Sequence, residues 1–190
     1  MFTRFSGFLI GSFFGLVFVL VNVGPPLSPA LIWGIRVLAV TMAAAVIALI
    51  VLTSRRESTR NAQPPSDAEP EEPRFGPFFG VVVLIEFALI FAGATLIGRL
   101  GLPPETGVAW VALVVGLHFF PLAWKWRQRE LVFVAWYATV LGAIGLALVA
   151  AGLPAWAPLV SGVVTGCGML LGCLLGIVPL YRRALAPSEA

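Results

Sequence analysis

Four residues carry polar chemistry into otherwise apolar stretches of this chain: Arg36, Glu86, His118 and Tyr137. His118 is the only histidine, set within "VVGLHFFPLAWKWRQRE" at 114–130. A carboxyl and an imidazole can share or relay a proton, or hold a cation between them. A charge at the centre of a membrane span costs about 2.5–3.5 kcal/mol on insertion scales. Such groups are therefore expected to face one another and not lipid. Whether they meet depends on the elements that carry them.

The chain has 190 residues, 59% hydrophobic and 11% charged, where a soluble domain has roughly 25% charged residues. Folded in water it would expose much of its apolar surface, so a lipid bilayer is its expected surroundings. The net charge of +3 does not point to nucleic acid, because the basic residues cap apolar runs and form no continuous face. Cys167 and Cys173 lie in one apolar run. On a helix they are turned roughly 240° and raised about 9 Å apart, which forbids a bridge. One histidine and no CxxC spacing argue against a metal site, and nothing implies a cofactor. The motifs GxxxxGK[ST], HExxH and GxSxG are also missing.

Apolar runs between Gly, Pro and charge breaks predict six helices, at 6–23, 30–53, 78–99, 107–124, 131–151 and 156–181. The expected fold is all-α: an integral membrane six-helix bundle built as three hairpins. No small-x-small cleavage site follows the first run, which reads on as "VNVGPPLSP", so it is expected to be retained. The polar segment 54–77 has little to bury and reads as a flexible cytoplasmic linker. It divides a hairpin at 1–53 from a four-helix unit at 78–190 with a short cytoplasmic tail.

Basic residues set the orientation. Arg4, Arg55, Arg56, Arg60, Arg74, Lys125, Arg127, Arg129, Arg182 and Arg183 fall on one side of such a bundle, and only Arg99 on the other. The side rich in Lys and Arg is cytoplasmic by the positive-inside rule, so both termini are expected there. The opposite turns read "VGPP", "LGLPP" and "AGLPA". Gly and Pro at a helix exit and entry explain them individually, and an internal repeat would explain them together. Trp33, Trp110 and Trp156 suit an outer aromatic belt, and Trp124 and Trp126 an inner one.

Glycines recur at helical spacing in two runs: Gly7, Gly11 and Gly15 in the first, and Gly162, Gly166, Gly168, Gly172 and Gly176 in the last. A missing side chain lets another backbone approach. Packing within the bundle is the favoured reading, and a homodimer or membrane-protein partner the other.

Measured from the basic ends by helical rise, Glu86 lies about 12 Å in, His118 about 10 Å and Tyr137 about 9 Å, on three consecutive helices. A polar cluster is expected if those faces meet. Arg36 sits near the other end, where its stem can snorkel outward. Pro121 removes a helix hydrogen bond beside His118 and is a candidate hinge. "GIVPLYRR" at 176–183 repeats the pattern of "FFPLAWKWR", which favours a shared exit geometry.

The stretch "GLHFFPLA" resembles one in bacterial multi-pass inner-membrane proteins of no assigned activity. The likeness spans the fourth helix and its flanks, about a fifth of the chain. It implies placement in the inner (plasma) membrane and carries no site residues over. The favoured function is a scaffold or accessory membrane subunit without catalysis. The alternative is a small proton- or cation-coupled transporter using Glu86 and His118, and an intramembrane enzyme is weaker still.

The orientation is directly testable. With Cys167 and Cys173 replaced, a cysteine placed at Ser66 should resist an impermeant maleimide in intact cells and react in inside-out vesicles. Ready labelling from outside would reverse the topology.

Overall fold

A computed structural model of the protein describes residues 5–60 and 76–185. Six helices account for nearly all of them: α1 (Ser6–Asn22), α2 (Pro29–Arg60), α3 (Pro77–Arg99), α4 (Thr106–Trp126), α5 (Arg129–Ala150) and α6 (Thr165–Leu185). The protein is an all-helical membrane bundle. Five of its apolar segments are long enough to cross a bilayer outright, and α1, with 17 residues, is shorter. The antiparallel match of α1 to α6 puts α1 at the same level. Phe8 meets Gly176, Gly11 meets Cys173, Gly15 meets Gly166 and Asn22 meets Gly162.

Two boundaries differ from the sequence expectation. Helix α2 runs on to Arg60, seven residues into the expected linker. The helix there is braced from α6, where the Tyr181 ring lies 5.9 Å from the Arg56 guanidinium. The rest of that expected linker, 61–75, lies outside the described residues. The last span is not a uniform helix either. A short 3₁₀ turn (Pro154–Trp156) leads into a π-helical segment (Pro158–Val164) before α6 begins.

Contacts also join the parts before and after the expected linker. Helices α1 and α2 pack on α6, the last element of the expected four-helix unit. Val19, Ala39, Ala43, Val163 and Leu170 form one buried cluster there, and Phe5, Val46, Ile50 and Ile177 another. The π segment sits among α1, α4 and α5. Helices α4 and α5 make the most extensive pairing, and α3 lies at the edge with α4 as its main neighbour.

Two turns opposite the basic ends share one geometry. Leu102 N–H donates to Ile97 O and Gly101 N–H to Gly98 O; Leu153 N–H donates to Leu148 O and Gly152 N–H to Val149 O. This is the Schellman arrangement, with Gly101 (φ 63°) and Gly152 (φ 77°) in the left-handed region. The first turn differs, since α1 ends in an extended Val23. Arg127 ends α4 at φ 52° with the same bonding pattern.

Glycine governs the close approaches. A Cβ on Gly15 would lie 2.9 Å from the carbonyl oxygen of Gly166, so the α1 and α6 backbones touch there. Gly7 and Gly172 face open space instead. Between α4 and α5, Gly116 seats Thr139 and Gly142 seats Leu113, while Gly145 faces Ser161 of the π segment. Gly15→Leu or Gly142→Leu should therefore destabilise the bundle by about 1–3 kcal/mol in reversible unfolding from mixed micelles. Gly172→Leu should cost well under half as much. Equal losses at all three sites would show that these seams do not set the helix spacing.

Candidate functional site

The four polar residues singled out in sequence do not form one cluster. Glu86 and His118 meet: Oε1 lies 3.3 Å from Nδ1, and the side chains are 15% and 13% exposed. Tyr137 turns away from them. Its hydroxyl donates to the Val164 carbonyl at 2.7 Å, where the π segment joins α6, and its ring occupies the space left by Gly168. Depth alone placed Tyr137 beside the pair, but rotation about α5 decides its direction. Arg36 stays on α2, its guanidinium 5.4 Å from the centre of the Trp33 ring one turn earlier. Its Nε is buried without a hydrogen-bond partner.

The carboxyl–imidazole contact is one of several fastenings that run the length of the α3–α4 seam. At one end, Trp110 Nε1 donates to the Leu89 carbonyl at 2.9 Å, and its ring fills the space above Gly93. Trp110, expected from its position to suit an outer aromatic belt, thus also makes an interhelical contact. At the other end, Phe79 stacks on Trp126 with ring centroids 6.2 Å apart. Glu86–His118 lies between these two contacts. The antiparallel order 79–126, 86–118, 93–110 follows from equal rise on both helices.

Within the seam, His118 Nδ1 makes no aligned hydrogen bond, so proximity to the carboxyl holds it rather than a directed N–H···O contact. Phe119 lies beside the imidazole with centroids 4.1 Å apart. Helix α4 continues through Pro121 to Trp126. The proline removes the donor that Leu117 would otherwise receive. Leu122 and Ala123, just after it, are buried, so the turn that follows the expected hinge is packed.

Sequence reasoning missed the π segment and what it does. Ser161 Oγ donates to Leu141 O at 2.8 Å, so α5 is fixed to this segment by one bond from each side, together with Tyr137–Val164. Asn22 packs over Gly162 from α1 and donates to Phe18 O at 2.8 Å. "PLVSGVV" reads as ordinary apolar helix apart from Pro158 and Gly162, which could have flagged an irregular turn. At the bundle end bearing Gly101 and Gly152, a depression of about 470 Å³ is lined by Asn22, Pro25, Pro104, Glu105 and Pro158, among others. Neither Glu86 nor His118 lines it. Among the described residues no group of three or more His, Cys, Asp or Glu side chains is placed to hold a metal. Compared with family models, curated proteins and solved structures, the chain matches none.

This seam makes a graded prediction. Trp110→Phe removes one hydrogen bond and should cost about 0.5–1.5 kcal/mol. Gly93→Leu forces the ring out and should cost more. Hydrogen exchange should quicken in α3 first in both variants, with α1 and α6 little changed. Uniform loosening of the whole bundle would contradict an edge position for α3.

Proposed function

We propose that this integral membrane protein is a non-catalytic scaffold or accessory subunit, and that Glu86 and His118 fasten α3 to the rest of the bundle. The observation that carries this reading is the 3.3 Å contact between Glu86 and His118, set inside a seam closed at both ends by aromatic contacts. A carboxyl and an imidazole in lipid each need a partner. Here each supplies the other's, between the edge helix α3 and its main neighbour α4. The glycines at Gly11, Gly15, Gly162, Gly166 and Gly176 are occupied by contacts within the chain, which leaves Gly7 and Gly172 open to a second membrane helix. The basic ends face the cytoplasm in this reading, and the membrane is a bacterial inner membrane. The count of basic residues supports the first statement and the "GLHFFPLA" resemblance the second.

A double-mutant cycle tests the fastening. Glu86→Leu and His118→Leu should each destabilise the protein, because each leaves a polar group without its partner in an apolar seam. The double Leu variant should recover part of the loss, with a coupling on the order of 0.5–3 kcal/mol. Additive losses would deny the pair a fastening role. Proteoliposomes give the opposing result its own signature. If the double variant folds normally yet abolishes a proton flux shown by the wild type, the protein is a transporter.

A further inference from the structure

The basic ends of α2 and α6 lie side by side. Both helices run the same way and remain packed to their ends through buried Ile50, Thr53 and Ile177. Beyond that level, the Arg56 guanidinium lies 5.9 Å from the Tyr181 ring on α6, next to Arg182 and Arg183. Arg56, Arg182 and Arg183 are all exposed. Two helix C-termini together present about one unit of negative charge. Over residues 54–60 of α2 and the last two turns of α6, Glu57 is the one carboxylate. The three guanidiniums therefore exceed what the helix ends require. Helix α2 has 32 residues, about 48 Å by helical rise, against a hydrocarbon core of about 30 Å. Its basic end thus emerges at the level of lipid headgroups.

The apolar surface next to these arginines indicates what they bind. Leu52, one turn before Arg56 on the same face, is 42% exposed, and Leu175, two turns before Arg182, is 66% exposed. Cations directly below bare aliphatic surface match a molecule with a phosphate at one end and acyl chains at the other. A free phosphate has no use for the aliphatic part. We propose that the paired ends of α2 and α6 form a binding site for an anionic phospholipid. Arg56, Arg182 and Arg183 hold the headgroup phosphate there, and Tyr181 keeps Arg56 in place. The reading requires only that the bundle sits in a bilayer and is independent of which side is cytoplasmic.

Native mass spectrometry of the full-length chain in neutral detergent tests this. The probes are phosphatidylglycerol and phosphatidylcholine of identical acyl chains, and inorganic phosphate. Phosphatidylglycerol should bind at least about tenfold more tightly than phosphatidylcholine, and inorganic phosphate should not displace it. Each basic residue at an anionic surface contributes roughly fivefold, so the triple change Arg56→Gln, Arg182→Gln and Arg183→Gln should weaken phosphatidylglycerol binding by about tenfold or more. The same charge removed from the other basic turn, Lys125→Gln with Arg127→Gln and Arg129→Gln, should leave it within about threefold. Equal loss in both triple variants would reduce the site to diffuse charge and overturn the proposal. Equal binding of the two lipids by the wild type would overturn it without any variant, as would displacement by inorganic phosphate. Should the Gln triple fail to fold, the corresponding Lys triple keeps the charge and should retain the preference for phosphatidylglycerol; its loss there would also count against the site.

Discussion

Apolar helices in lipid gain nothing by hiding their side chains from one another, because the acyl chains are as apolar as they are. What holds them together must be close packing and the few polar bonds that cross between them. This structure depends on that constraint throughout. Gly15 and Gly166 bring two backbones into touch, Gly116 and Gly142 do the same between α4 and α5, and Gly145 makes room for the Ser161 side chain. The large side chains that a soluble protein would bury, such as Phe13, Leu84, Phe91 and Leu175, point outward instead.

The polar bonds follow the same economy. Each of the principal interhelical bonds has a carbonyl as acceptor: Trp110 to Leu89, Ser161 to Leu141 and Tyr137 to Val164. A carbonyl can accept a second bond without giving up its place in the helix. Two of the three involve the π segment, whose wider turn disturbs the regular ladder and changes where carbonyls and side chains point. The segment touches α1, α4 and α5, so an irregularity in one helix sets the position of three others. Glu86–His118 instead joins two titratable side chains, and it belongs to the helix with the fewest neighbours among those described.

Much of the architecture could be read from the sequence. Six helices stand where the apolar runs predicted them, with most ends shifted by no more than about two residues, as frayed helix termini allow. The meeting of Glu86 and His118 followed from depth, since equal rise on adjacent antiparallel helices brings equal depths together. The same argument failed for Tyr137, because depth says nothing about rotation around the helix axis. Nor does depth show that Trp110 reaches the α3 backbone, a contact for which Gly93 leaves the room. The extension of α2 to Arg60 was hidden by polar composition, which says nothing of the support that the end of α6 provides.

By itself, the sequence determined that the chain belongs in a bilayer, how many helices it forms and how far along its helix each polar group lies. Those properties come from local composition and a fixed rise per residue. Only the tertiary structure decided which helices touch: that α1 and α2 close on α6 across the polar segment, that α3 rests on α4, and that the π segment is shared among three helices. Lipid-facing and partner-facing surfaces are equally apolar here, so the sequence carries little record of which is which. The choice is made by glycine gaps and single hydrogen bonds, whose partners are fixed only when the helices are already side by side.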